Sequence, residues 1–224
     1  TGRTKAIVVM HYGGFACDMP EILRVAKKHD LAVIEDAAHA IGGSLQGKSL
    51  GTWGDAGCYS FFGNKNMTTA EGGMLVTNDD RIAEKVRVLR SHGMTTLTWD
   101  RHKGHASTYD VVDLGYNYRM DEIRSAIGRE QLKKLPAGNA RRTELVLRYR
   151  RVFQDKVPAL GLPFAEQRGI SSHHIFPVLL PEGIQRETFR ETLKADGIQT
   201  SFHYPPVHHF LIYRKEDEEL RMTE

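Results

Sequence analysis

The chain has 224 residues, 40% hydrophobic and 26% charged, and its 31 basic residues against 28 acidic ones give a formal net charge of +3. That length suits one domain with a sizeable core, or one domain with a small appendage, and so even a charge balance gives no footing for a nucleic-acid-binding role. No apolar run approaches the roughly 18 residues that a membrane span needs, and no secretory leader precedes the first strand pattern, so a cytoplasmic protein is expected. In chain order, KAIVVM is a short buried strand that runs into a Tyr-Gly-Gly turn, and MPEILRVAKK is a helix with Ile22, Leu23 and Ala26 on its apolar side. LAVIED is a second apolar strand, and the strand-helix-strand unit predicts a parallel sheet covered by helices. GCYSFF and GGMLVTN are two more strand candidates flanking a loop that contains Lys65, and DDRIAEKVRVLRSHG is a helix that Gly93 stops. Residues 95–118 lack a period and mark a long loop, which in a compact domain tends to be functional. Two helices are expected next, one closing at Pro136 and a second from about 139 to 156. HHIFPVLL, QRETFRETLKADG and IQTSF then read as the start of a smaller α/β unit, with domains expected over 1–157 and 158–224.

Two cofactor signatures fail: there is no GxGxxG after a strand and no GxxxxGK[ST]. Cys17 and Cys58 are too far apart for a CxxC pair and are expected to be small core residues in a reducing compartment. His203, His208 and His209 in SFHYPPVHHF are separated by prolines, without HExxH or a cysteine, so no metal site is expected. IEDAAHA puts Asp36 at the carboxyl end of an apolar strand, where open parallel sheets bind ligands, although an aspartate there equally suits a helix N-cap. His39 alone reads as a packed or capping histidine. Lys65 follows Asp36 by 29 residues in SFFGNKNMTTAEGGM. A strand-end acid and a loop lysine are what an electron-sink cofactor such as pyridoxal 5'-phosphate requires: an amine to hold the aldehyde and a carboxylate to keep the pyridine nitrogen protonated.

Five stretches in order, IEDAAHAIGG, LGTWGDAGCYSFFGNKNMTTAEGGM, SHG, LGYNYRMDEIRSAIGREQL and GIQTSFHYPPVHH, resemble the DegT/DnrJ/StrS family of pyridoxal-phosphate-dependent nucleotide-sugar aminotransferases over nearly the whole chain. The resemblance implies an aspartate-aminotransferase-type α/β fold: a large domain with a mixed, mostly parallel seven-stranded sheet, plus part of a small C-terminal α/β domain. It implies that Lys65 holds the cofactor as a Schiff base and shuttles a proton between cofactor and substrate carbon. Asp36 would pair with the pyridine nitrogen, His39 would contact the ring hydroxyl, and Ser60 would bond the cofactor phosphate. Asn117 would reach the phosphate of a neighbouring subunit, making a homodimer part of the site, and His203 and His208 would come close to the sugar nucleotide. The implied reaction moves an amino group from glutamate or glutamine to the cofactor, and from pyridoxamine phosphate to a keto group of a nucleotide-linked sugar. Phe62 stands where other members carry histidine, which is similar to the perosamine-synthase-type subset.

Family members extend upstream of RTKAI and past RMTE, so an incomplete copy is expected, with unpaired strand edges and bare apolar surface. Three other readings are open. A sugar dehydratase of the same fold as a rule carries histidine in place of the lysine. A truncated, catalytically inactive member could act as a partner or sugar-nucleotide-binding protein. A cofactor-free binding module would leave Asp36 as a cap only and Lys65 in solvent.

Overall fold

The computed structural model describes residues 1–95 and 108–213, and the chain divides into two compact units, Thr1–Leu179 and Leu180–Glu224. Much of the expected long loop, residues 96–107, lies outside the described residues.

The first unit is built on strands β1 (Ala6–Met10) and β2 (Ala32–Asp36), joined by helix α1 (Met19–Lys28). Asp18 caps α1 by accepting the Glu21 N–H at 3.3 Å, and Pro20 sits in its first turn, where a missing N–H costs nothing. A short hairpin of β3 (Ser44–Leu45) and β4 (Lys48–Ser49) precedes β5 (Ala56–Ser60) and β6 (Gly73–Val76). β1 pairs with β2 and β2 with β5 in parallel, while β6 runs antiparallel to β5, giving the order β1-β2-β5-β6. The sheet among the described residues is therefore mixed and mostly parallel, an α/β arrangement of the kind the resemblance implied. The all-parallel expectation fails at β6, because residues 61–72 fold back as a loop instead of crossing over as a helix.

Alternation along the strands separates two faces. Val9 and Val33 point toward α1 and join Met19, Ala26, Leu45 and Leu50 in the main core. Val8, Met10 and Ile34 point the other way, and Val8 is 69% exposed, so this face of the sheet is bare. Cys58 lies opposite Asp36 on that face and is exposed, whereas burial in the core was expected of it.

Gly57 lies opposite Glu35 on the covered face, and the turn at residues 51–54 passes directly over it. A Cβ on Gly57 would meet the Gly51 carbonyl oxygen at 1.8 Å. Gly57→Ala is expected to lower stability by about 1–3 kcal/mol through overpacking, read as a drop of several degrees in Tm; an unchanged melting curve would refute the close approach.

Helix α2 (Asp80–Leu89) is capped by Asp79, whose carboxylate accepts the Arg81 N–H at 2.8 Å. It stops at Leu89, and Gly93 serves the following turn: it has φ +70°, and a Cβ there would lie 1.9 Å from the Asp113 carbonyl oxygen. Helix α3 runs unbroken over Glu122–Lys156 with Pro136 inside it, so the two helices expected from the sequence are one. Proline removes the bond to the carbonyl four residues back. Contacts on both sides of Pro136 outweigh that local loss: Leu135 is buried with Phe61 and Met67, Gly128 packs on Thr69, and Asn139 donates to the Ile41 carbonyl at 3.1 Å.

The segment after α3 belongs to the first unit. Gly161 and Leu179 exchange two backbone bonds of 2.8 Å, and Ile170 exchanges bonds with Ser44 at 2.7 and 2.9 Å. HHIFPVLL is therefore an irregular run bonded back to the large unit, and the compact division falls after Leu179, beyond the boundary expected near 157. In the second unit, helix α4 (Arg186–Ala195) forms as its periodicity predicts, with the Arg186 and Arg190 guanidiniums over the Phe202 ring at 4.5 and 5.5 Å. IQTSF forms no strand among the described residues, because no described strand pairs with it.

Candidate active site

The site rests on a buried carboxylate that the sequence reading did not single out. Glu35 is fully buried on the covered face of β2 and accepts four hydrogen bonds. Oε1 takes the amides of Trp53 (2.5 Å) and Gly54 (2.7 Å); Oε2 takes the Gly51 amide (2.7 Å) and Nε2 of the equally buried His11 (2.8 Å). This pulls the turn at 51–54 onto the sheet and fixes the end of β1, where the His11 amide also bonds the Asp36 carbonyl at 3.1 Å.

One residue further along β2, Asp36 points to the opposite face. Its Oδ1 accepts the Ala38 amide at 3.0 Å, and the chain then turns through bonds from Ala40 to Ala37 and from Gly43 to Ala40. Asp36 thus caps a tight turn, not a helix, and this capping engages only one of its two oxygens.

Lys65 sits in the loop at 61–72 between the antiparallel partners β5 and β6. The loop is locked by backbone bonds from Phe61 to Gly72 (2.8 Å) and Thr69 to Phe61 (2.9 Å), by burial of Phe61, Met67 and Thr69, and by a turn closed from the Lys65 amide to the Phe62 carbonyl (3.0 Å). The Lys65 side chain is half-buried, and no hydrogen bond or ion pair engages its amine among the described residues. Burial holds its pKa below the ordinary lysine value, and the neighbouring Asp36 carboxylate opposes that shift. More of the amine is free at neutral pH than on a surface lysine, which is the state a nucleophile needs.

His39 is buried; its Nδ1 accepts the Gly13 amide at 3.3 Å, and its ring lies 4.4 Å from that of His174. Ser60, at the end of β5, is half-buried with Oγ accepting the Phe62 amide at 3.4 Å. Asn117 is exposed, its backbone bridged to Ser91. Phe62 is exposed too. His203 and His208 belong to the second unit, where Nε2 of His203 meets Ser201 Oγ at 3.3 Å and the His208 ring packs against His209. The structure therefore brings Asp36, His39, Ser60 and Lys65 to one end of the sheet. Asn66 and His174 join them, and neither was picked out from the sequence: Asn66 is marked only by its place after Lys65, and His174 lay in HHIFPVLL, read only as part of the start of a smaller α/β unit. Among the described residues, no group of three His, Cys, Asp or Glu side chains could hold a metal ion, and no helix is long and apolar enough to cross a membrane.

The model of the DegT/DnrJ/EryC1/StrS aminotransferase family matches residues 1–224, the full length of the sequence. The chain belongs to this family. Among its relatives, the spore coat polysaccharide biosynthesis protein SpsC of Bacillus subtilis is 41% identical over 221 residues, which is 96% of this chain and 57% of SpsC. In structure, Helicobacter pylori PseC, an aminotransferase involved in the biosynthesis of pseudoaminic acid, superimposes with a TM-score of 0.89 at 34% identity, over 99% of this chain and 58% of PseC. Spr1654 from Streptococcus pneumoniae, solved in a PLP form and a PMP form, gives TM-scores of 0.83 and 0.84 at 26% identity, over 95% of this chain and 58% of it or slightly more. The chain thus spans a little over half the length of the relatives it matches. Its DegT/DnrJ/EryC1/StrS fold is that of the type I pyridoxal-phosphate aminotransferases, and pyridoxal phosphate is the family's cofactor. The donor set fits that group: a half-buried amine with no bonded partner among the described residues stands within reach of a strand-end carboxylate's charge, at the end of the sheet where His39 and Ser60 also lie.

Proposed function

We propose that this chain carries the cofactor-binding part of an aminotransferase that moves an amino group from glutamate or glutamine to a keto group of a nucleotide-linked sugar. The observation that carries the reading is the Lys65 amine, half-buried and under the electrostatic influence of Asp36 at the carboxyl end of β2. When bound, pyridoxal phosphate supplies an electron sink for charge that develops at the substrate carbon, and it carries the amino group as pyridoxamine phosphate between half-reactions. Lys65 would hold the group through Nζ and, once released from it, would take and return a proton at the substrate carbon. The Asp36 carboxylate would keep the pyridine nitrogen protonated. His39 would contact the ring hydroxyl, and Ser60 would hydrogen-bond the phosphate. Asn117, exposed beyond the Ser91 bridge, reaches the phosphate held by a second copy of the chain, so the site is completed in a homodimer. His203 and His208 contact the sugar nucleotide. The family's chemistry, acting on free nucleotide sugars, suits the cytoplasm.

The experiment is to mix the purified chain with pyridoxal phosphate, record the visible spectrum, reduce with borohydride and map the adduct by mass. A band near 400 nm, of the order expected for a protonated lysine adduct, with the reduced label on Lys65 is the expected result. Label scattered over surface lysines would favour the second reading, a catalytically silent chain that works by pairing with an intact subunit. The bare face formed by Val8, Met10 and Ile34 is the observation on that reading's side.

A further inference from the structure

The two imidazoles at the site are held in opposite tautomers, and one side chain sets the difference. Asn66 follows Lys65 directly. Its Nδ2 donates to the Ser172 carbonyl at 2.7 Å, an atom that only accepts, so the amide has one possible orientation. The same Nδ2 donates to Asn139 Oδ1 at 2.9 Å, and Asn139 is fixed in turn by its own bond to the Ile41 carbonyl at 3.1 Å. Oδ1 of Asn66 is therefore the atom that meets Nδ1 of His174 at 3.0 Å, and an amide oxygen requires a donor there. The proton of a neutral His174 sits on Nδ1. His39 is the reverse case: its Nδ1 accepts the Gly13 amide, so its proton sits on Nε2. The ring centroids are 4.4 Å apart at an interplanar angle of 33°. Neither backbone is free to shift, because the His174 amide bonds the Gly13 carbonyl at 2.9 Å and Ser172 Oγ bonds the His39 carbonyl at 2.6 Å.

We propose that His174 is a positioning residue of the Lys65 site, locked as the Nδ1–H tautomer by Asn66. Two consequences follow from the geometry. The Asn66 side chain ties the residue after Lys65 to the segment 171–174, so the direction of the lysine is set by bonds made outside its own loop. The tilted pair also gives the two rings fixed and different characters: His39 carries its donor at Nε2, and a neutral His174 carries its donor at Nδ1. Two rings free to choose their tautomers would offer no such distinction. The effect on Lys65 rests on the cofactor reading above, whereas the tautomers stand without it.

The test uses the full chain with its histidines labelled with nitrogen-15 and carbon-13, and reads each ring's tautomer from long-range proton–nitrogen correlations, with His174→Phe and His39→Gln assigning the two signals. His174 is expected as Nδ1–H and His39 as Nε2–H, and Asn66→Ala is expected to return His174 to Nε2–H. In borohydride trapping with pyridoxal phosphate, Asn66→Ala should lower the Lys65 adduct about tenfold, the factor one ordinary hydrogen bond carries, while His174→Asn, which keeps a donor near the place of Nδ1, should stay within about twofold of the parent. Wild-type His174 found as Nε2–H, or an Nδ1–H signal indifferent to Asn66→Ala, overturns the proposal by a measurement that needs no cofactor. An adduct on Lys65 as abundant in Asn66→Ala as in the parent overturns the positioning role. No adduct in the parent overturns the cofactor reading and the positioning role together, and leaves the tautomer assignment to its own spectrum.

Discussion

Lys65→Ala is expected to remove the borohydride-stable cofactor adduct completely and to cut amino transfer by the assembled enzyme by about four orders of magnitude. Two functions vanish with one amine: covalent capture of the aldehyde, and the proton shuttle at the substrate carbon, which alone is worth about 10²- to 10⁴-fold. Lys65→Arg should be nearly as inactive. It restores positive charge opposite Asp36, but a guanidinium does not give up its proton and is no nucleophile. Comparing the two separates charge from chemistry. Lys48→Ala is the control, since the Lys48 ammonium lies over the Trp53 ring at 5.1 Å, outside the loop at 61–72. Mass mapping of the reduced protein decides the matter: an adduct that survives in Lys65→Ala at the parent level would transfer the role to another lysine.

Glu35→Ala is expected to cost at least about 4 kcal/mol and to leave little folded protein. The substitution strips partners from three backbone amides and from His11 Nε2–H, and each unpaired buried donor costs about 1–3 kcal/mol. Glu35→Gln keeps the volume but turns an NH₂ toward donors on one side, so it should lie between Ala and the parent in urea or thermal unfolding. The same carboxylate makes stability depend on pH. Burial pushes the Glu35 pKa up, but His11 and the amides of Gly54 and Gly51 outweigh it and hold the pKa below the ordinary carboxylate value. A group whose folded pKa is depressed contributes stability that is present above its unfolded pKa, about 4.3, and is lost as pH falls through the folded value. Melting temperatures should therefore fall steeply below about pH 4 in the parent and less steeply in Glu35→Gln. Parallel acid profiles for the two proteins would remove Glu35 from the account.

Glu35 and Asp36 show how far sequence reading reaches. Strand periodicity places adjacent residues on opposite faces, so an acidic pair at a strand end always splits into one inward and one outward carboxylate. Which one faces a core with donors waiting for it depends on the turn at 51–54, and that turn reaches Glu35 only because Gly57 has no side chain in the way. Pro136 makes the same point from the other side. Its local preference is to end a helix, yet Leu135 and Asn139 have tertiary partners that keep α3 continuous.

The sequence by itself determined the βαβ start, the strands flanking the lysine loop, the helices α1, α2 and α4, and the strand-end acid paired with a loop lysine. These features rest on near-neighbour patterns, the alternation of a strand, the 3.6-residue stripe of a helix and the capping aspartates, which are legible along the chain. The tertiary structure alone decided that β6 turns back antiparallel, that residues 158–179 pack with the first unit, that Cys58 faces outward, and that Asn66 and His174 meet His39. The first and third of these outcomes depend on strand pairing, and the other two on bonds between residues some 70 to 160 positions apart, such as Asn66 to Asn139 and Ser171 to Gly14, whose partners no local pattern names.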